Sequence, residues 1–308
     1  MLMEIAMGLQ HKPKQAQDIL AAVDLYREAA ELCGEGDALL LARIQARMAT
    51  ALMAVPTDDP TPLDEAREML RRALPPLGGL GAAEELAEAE MNLGLVLQSL
   101  AGIGRARIQD AIGAYQRALR TFSKLSHPRE YAILHSNLAT AFLSVPMASD
   151  AGKLSEALAV QSFEEGLSAV NLIDHPVEYA MLQNNLGNAL QYASSSHRVE
   201  NGFRALQAYD EALKVRDRRN SPIEYANTIA NKANCLSNLP DDPEDGDAGN
   251  PATSHRRSSS IARRVRSLPR PARPTAQRAW PRRSLSWNDS ARRTRARQWW
   301  LLTVKKET

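Results

Sequence analysis

Apolar positions along most of this chain recur at spacings of three and four. In EYAMLQNNLGNAL, Tyr179, Leu182, Leu186 and Leu190 mark one face of a helix. In RALQAYDEALKV, Ala205, Tyr209, Ala212 and Leu213 mark another. No segment sustains the alternation of a half-buried strand, so the pattern predicts an all-α body. Ser221-Pro222-Ile223-Glu224 reads as a helix start: Ser as N-cap, Pro in the first turn, Glu closing a capping box. His127-Pro128 and His175-Pro176 hold the same place with a poorer cap. Gly94 and Gly187 fall inside helices, where Gly costs about 1 kcal/mol against Ala. That cost makes sense if a neighbouring helix leaves no room for a side chain. Ala49, Ala139 and Ala233, small residues at the matching positions, agree with this.

The helices repeat. HPREYA (127–132), HPVEYA (175–180) and SPIEYA (221–226) recur at spacings of 48 and 46. Each precedes an asparagine-centred string: NLATAF (137–142), NLGNAL (185–190) and NKANCL (231–236). A second kind of string alternates with these: AYQRAL (114–119), SFEEGL (162–167) and AYDEAL (208–213). MNLGLV (91–96), MLRRAL (69–74), RMATAL (47–52) and LYREAA (25–30) extend the series backwards. One register runs through Tyr26, Leu70, Tyr115, Phe163 and Tyr209, and a second through Ala42, Ala87, Ala132, Ala180 and Ala226. Alternating helices of two kinds predict a stack of hairpins.

The order of residues resembles the tetratricopeptide repeat (TPR). It reads Leu186-Gly187, Ala205, Tyr209, Ala212, Pro222; before that Leu138-Ala139, Ala159, Phe163, Gly166, Pro176; and before that Leu93-Gly94, Ala111, Tyr115, Ala118, Pro128. The resemblance covers roughly residues 15–240. The usual repeat is about 34 residues, whereas here the period is 44 to 48. The extra length is expected between the two helices of a unit, in VPTDDPTPLDEA, VPMASDAGKLSEA and YASSSHRVENGFRA. The long period and the NNLG form look like the kinesin-light-chain type of repeat and like bacterial regulatory proteins that carry it. The resemblance implies a right-handed superhelical solenoid of about five hairpins. It also implies a non-enzymatic scaffold that binds a protein or peptide in a concave groove lined by first helices.

The polar feature that stands out is the series Asn92, Asn137, Asn185 and Asn231, one per repeat, with Arg47 at that place in the first unit. Asn is a mediocre helix former, so four in register ask for a reason. In the family this residue often holds the backbone of an extended peptide, and a carboxamide offers the donor and acceptor that a peptide bond needs. Asn184, Asn188 and Asn234 stand beside the series as further contacts. The other reading is that each amide bonds to an adjacent helix. Tyr115, Phe163 and Tyr209 read as core.

Composition divides the chain. Residues 251–308 hold 14 Arg and 2 Lys against Asp289 and Glu307 only, a balance of +14, which leaves −12 for the rest. All four Trp lie there too. The sequence therefore predicts a repeat domain at 1–240, an acidic linker at 241–250 and a basic, disordered tail at 251–308. The tail has two readings. One is an arm that meets nucleic acid through its arginines. The other is a segment read out of frame, since the repeat demands a second helix where the pattern stops. On either reading the helix ending at Leu239 lacks its partner, which predicts partial exposure of Cys235, Leu236 and Leu239 and self-association through that end. A sensor module cut from a larger regulatory protein is a further alternative.

Chemistry is sparse. There is no GxxxxGK[ST] and no GxGxxG at a strand–helix join. Asp241–Asn250 places Pro243 where a calcium ligand would stand and reads as a solvated loop. The six His are scattered, with His135 a surface or packing residue. The sequence predicts no enzyme, cofactor or metal. Cys33 and Cys235 cannot build a disulfide framework and read as packing residues of a reduced, cytoplasmic protein. The absence of a run of about 18 apolar residues excludes an ordinary membrane span. Glu4 and the missing basic lead-in argue against a secretory signal.

Overall fold

A computed structural model describes residues 1–33, 36–145, 150–194 and 197–239. The linker, the calcium-loop reading and the tail all lie outside these residues. Among the described residues there are eleven helices and no strand. They fall into two compact units. The first holds α1 (Leu2–His11), α2 (Ala16–Cys33), α3 (Ala38–Ala54), α4 (Thr61–Leu80), α5 (Ala83–Gly102) and α6 (Ile108–Ala118). The second holds α7 (Pro128–Leu143), α8 (Asp150–Leu167), α9 (Pro176–Tyr192), α10 (Arg198–Leu213) and α11 (Pro222–Asn238).

Consecutive helices pair as hairpins, α1 with α2 through α9 with α10, and α11 packs on α10. One close contact recurs in the third and fifth hairpins. A Cβ added at Gly94 would lie 2.6 Å from Cδ1 of Tyr115, and one at Gly187 would lie 2.6 Å from Cε1 of Tyr209. Both rings are fully buried. The two helical glycines are thus explained: the ring of the second helix lies flat on the backbone of the first.

The ring's hydroxyl also has a partner that repeats. Tyr115 donates to Gln98 Oε1 at 2.8 Å, and the Tyr209 hydroxyl proton is shared between Asn188 Oδ1 at 2.8 Å and Gln191 Oε1 at 2.9 Å. In each case the glutamine stands four residues after the glycine, one turn along the same helix. The first hairpin repeats this with Ala6, Gln10 and Tyr26, whose hydroxyl donates to Gln10 Oε1 at 3.0 Å. In the second and fourth hairpins the ring position holds Leu70 and Phe163, which carry no hydroxyl, and the glutamine position holds Met53 and Leu143. A buried hydroxyl and its acceptor come and go together, as the cost of an unpaired buried polar group requires. The sequence pattern places α1 outside the repeats; the structure makes it the first helix of the first hairpin.

Pro128, Pro176 and Pro222 stand at the helix starts, as expected. The capping box does not form. Ser221 makes no side-chain cap bond. Its Oγ instead donates to the carbonyl of Asp217 at 3.3 Å and accepts from the Asp217 N–H at 3.1 Å, closing the connection before α11. That connection is a built turn. Asp217 Oδ1 accepts from the N–H groups of Arg219 and Asn220 at 2.6 and 2.8 Å, bonds that hold its carboxyl below the usual range. Asn171 does the same for Ile173 and Asp174 one repeat earlier. The long period is therefore not confined to loops inside hairpins. It also fills the connections Ser168–His175 and Lys214–Ser221 between them.

The core of the second unit gathers Ala132, Ala139, Phe163, Val170, Leu182, Leu186, Tyr209 and Cys235 among others. Cys235 corrects an expectation. It is 1% exposed, and its thiol faces the carbonyl of Gly202 at 3.5 Å. Leu239 lies over Gly202, where a Cβ would come within 2.5 Å of it. The face of α11 toward α10 is packed; Leu236 and Leu239 are half-buried.

Candidate functional site

Within each unit the first helices of successive hairpins also touch one another: α1 with α3 and α3 with α5, then α7 with α9 and α9 with α11. The asparagines lie along these seams. In the second unit they form a linked set. Asn231 on α11 donates to Asn184 Oδ1 on α9 at 3.3 Å, and Asn184 donates to Asn185 Oδ1 at 3.3 Å. One hairpin earlier the corresponding residues are Asn185 on α9 and Ser136 on α7. Asn185 Nδ2 and Ser136 Oγ are both buried without a partner among the described residues. The same bridge is laid out there with a side chain too short to close it.

The seven predicted residues divide by exposure. Asn92, Asn137 and Asn184 are buried, Asn137 at 4% exposure. Asn185, Asn188, Asn231 and Asn234 are half-buried. Asn188 spends its acceptor on the core, taking a bond from the Tyr209 hydroxyl at 2.8 Å. Asn234 donates to the hydroxyl of Tyr192 at 2.7 Å, across from α11 to the end of α9. Tyr192 is 48% exposed. Asn92 belongs to the first unit and the other six to the second.

Two polar features do not emerge from the sequence pattern. The glutamines Gln10, Gln98 and Gln191 are findable from their fixed offset of four from the small residue. Tyr192 carries no such signal, because its role depends on how far α9 lies from α11. Ser136 is expected from the sequence as a neighbour of the asparagine series.

Charges flank the amides. Arg129 on α7 pairs with the buried Glu178 on α9 at 2.9 Å, and Arg43 on α3 pairs with Glu85 on α5 at 2.7 Å. Tyr131 donates to Glu165 at 2.8 Å and Tyr179 to Glu211 at 3.0 Å, so the tyrosine of the first two EYA strings ties its helix to its own second helix. His135 packs against Tyr131, ring centroids 4.4 Å apart. Burial pushes its pKa down, opposed by the charge of Glu165, and its Nδ1 is buried with no partner among the described residues. Among the described residues no three His, Cys, Asp or Glu gather as metal ligands, and no helix is long and apolar enough to cross a membrane. What this surface offers is amide and hydroxyl hydrogen bonding on a rigid helical frame.

No family model matches the chain, and no curated protein does. One solved structure similar to it is the crystal structure of MamA protein. It is 18% identical, covers 71% of this chain and 93% of its own, and superposes with a TM-score of 0.44. A likeness that loose assigns nothing by itself. The fold is a tetratricopeptide-like helical repeat. That statement rests on the hairpins: a buried aromatic or leucine at one register of each second helix and a buried small residue at one register of its first helix, in direct contact at Gly94–Tyr115 and Gly187–Tyr209.

Proposed function

We propose that the chain is a non-enzymatic scaffold that binds a protein or peptide along the exposed side of its first helices. The observation that carries this is the half-buried polar patch of Asn231, Asn234 and Tyr192 on the consecutive first helices α11 and α9. Amides there can pair with a peptide backbone without demanding one side chain. Asn185 and Asn188 border the patch, Asn137 and Asn184 lie buried in the same unit, and Asn92 holds the equivalent register in the first unit. The long period fits the kinesin-light-chain type of repeat, and a reducing cytoplasm suits two free thiols.

Selection of a displayed peptide library on the full chain tests this. Enriched peptides should lose about tenfold or more in affinity against Asn231→Ala or Asn234→Ala, because an unpaired partner group is left behind. Circular dichroism of both variants should match the parent. No enrichment, or equal binding to the variants, defeats the reading. The charge of 251–308 supports a second reading, contact with nucleic acid through that segment alone. It expects DNA binding that falls steeply with salt and vanishes when 251–308 is removed.

A further inference from the structure

Among the described residues, helix α11 is a first helix with no second. In the other hairpins two small positions, seven residues apart, are sealed by the second helix: Ala42 and Ala49 are 1% and 0% exposed, and Ala132 and Ala139 are both 0% exposed. Ala87 with Gly94, and Ala180 with Gly187, are buried likewise. The same positions on α11 are Ala226 and Ala233. Ala226 is exposed and Ala233 is half-buried. Ile223 on the same helix is 64% exposed. Tyr225 stands where Tyr131 and Tyr179 donate to Glu165 and Glu211 of their second helices. Among the described residues its hydroxyl has no acceptor.

We propose that this face of α11 docks one amphipathic helix of another protein, of the same chemical type as this chain's own second helices. The internal copies define that type. They read Ala159, Phe163, Glu165, Gly166, Leu167 and Ala205, Tyr209, Glu211, Ala212, Leu213. A small residue is followed four positions on by an aromatic, two further by a carboxylate, then by a small residue and Leu. The aromatic would sit on Ala233 as Phe163 sits against Ala139, and the carboxylate would accept from Tyr225. The interface continues one already built at α7–α8 and α9–α10, so the shape and polarity of the occupant follow from those pairs.

The chain's own continuation does not carry this pattern. Between 240 and 308 the one acid two residues after an aromatic is Asp289, after Trp287, and the small position before it is Arg283. A second copy is no better suited, since its second helices already cover its own first helices. With neither residues 240–308 nor a second copy supplying the pattern, the occupant proposed is a helix of a different polypeptide. This surface is a different one from the amide patch, and it can stand or fall without it.

The probe is a labelled, lactam-stapled peptide with the sequence of residues 198–215, titrated against the full chain by fluorescence anisotropy. Stapling offsets the weak helicity of a short isolated segment. Saturable binding is expected, weakened about tenfold or more when the peptide carries Tyr209→Ala or Glu211→Lys. Ala226→Arg in the protein should abolish it; the position is exposed, so the far-ultraviolet spectrum should not change. Asn234→Ala, in the amide patch, should leave it intact. Refusal of the peptide by the full chain overturns the proposal, as does equal binding to the Ala226→Arg variant. Sedimentation as a dimer that Ala226→Arg breaks, with the peptide refused, overturns it in favour of a second copy.

Discussion

At the scale of single residues, the pairing of tyrosine with glutamine shows how the core tolerates a hydroxyl. Tyr115 and Tyr209 are fully buried, yet each donates to a glutamine one turn along the facing helix. Tyr115→Phe should cost about 1 kcal/mol, because Gln98 loses its partner. Adding Gln98→Leu reproduces the pairing seen at Phe163 and Leu143 and should recover most of that loss. Urea denaturation of the two single variants and the double variant measures the coupling. If the double variant loses the sum of the two single losses, the residues act independently. This pairing is legible in the sequence only in part. The ring register is plain, whereas the glutamines stand out only once the structure shows which atom each one meets.

At the scale of the element, the glycines decide how closely two helices approach. Gly187→Ala adds a methyl 2.6 Å from the Tyr209 ring. Overpacking of this kind costs about 1–3 kcal/mol, more than the gain of about 1 kcal/mol in helix propensity. The melting temperature should therefore fall, and Tyr209→Leu in the same chain should restore part of it, since Ala49 and Leu70 already coexist. Element boundaries are less legible than element identity. The prolines locate the starts of α7, α9 and α11, and Ser221 holds the N-cap position as read, but its hydroxyl serves the preceding turn and closes no capping box. Helix α1 escapes the pattern because it lacks the Asn and EYA strings, although Ala6 and Gln10 carry the offset. The asparagine series is visible, but its division into buried and open members is not. That division depends on which first helices touch. A second test belongs to α7. Burial lowers the pKa of His135, so below the ordinary histidine value of 6.5 the unfolded chain takes up a proton that the folded chain resists. Stability should decline as pH falls through that range, and His135→Phe should flatten the decline in thermal melts.

At the scale of the whole molecule, a stack of hairpins is held by nearest neighbours, so its weakest junction sets where it opens. In the second unit the α8–α9 junction buries Val170 and Leu182. The equivalent positions at α10–α11 are Arg216 and Thr228, both buried, with the guanidinium donating to the Thr228 hydroxyl at 2.9 Å. Burial pushes the Arg216 pKa down to about 10, against the opposing charge of Glu224. A buried charge met by one hydroxyl holds a junction less well than two aliphatic side chains do. Arg216→Val with Thr228→Leu should stabilise the chain by roughly 1–4 kcal/mol, and Thr228→Ala alone should destabilise it. Hydrogen exchange should show α11 as the first helix of its unit to open.

The buried tyrosines also give the molecule an optical clock in alkali. Burial pushes Tyr26 up to about 12 and Tyr115 well above the ordinary value of 10. Between those values the unfolded chain sheds phenolic protons that the folded chain keeps, so stability drains away as pH rises past 10. Tyrosinate absorbance near 295 nm (a generic property of phenolate) should then rise in two stages, a prompt step from accessible rings and a slow one as hairpins come apart. The slow stage reports, without any label, the opening of the three hairpins whose ring position is Tyr26, Tyr115 or Tyr209.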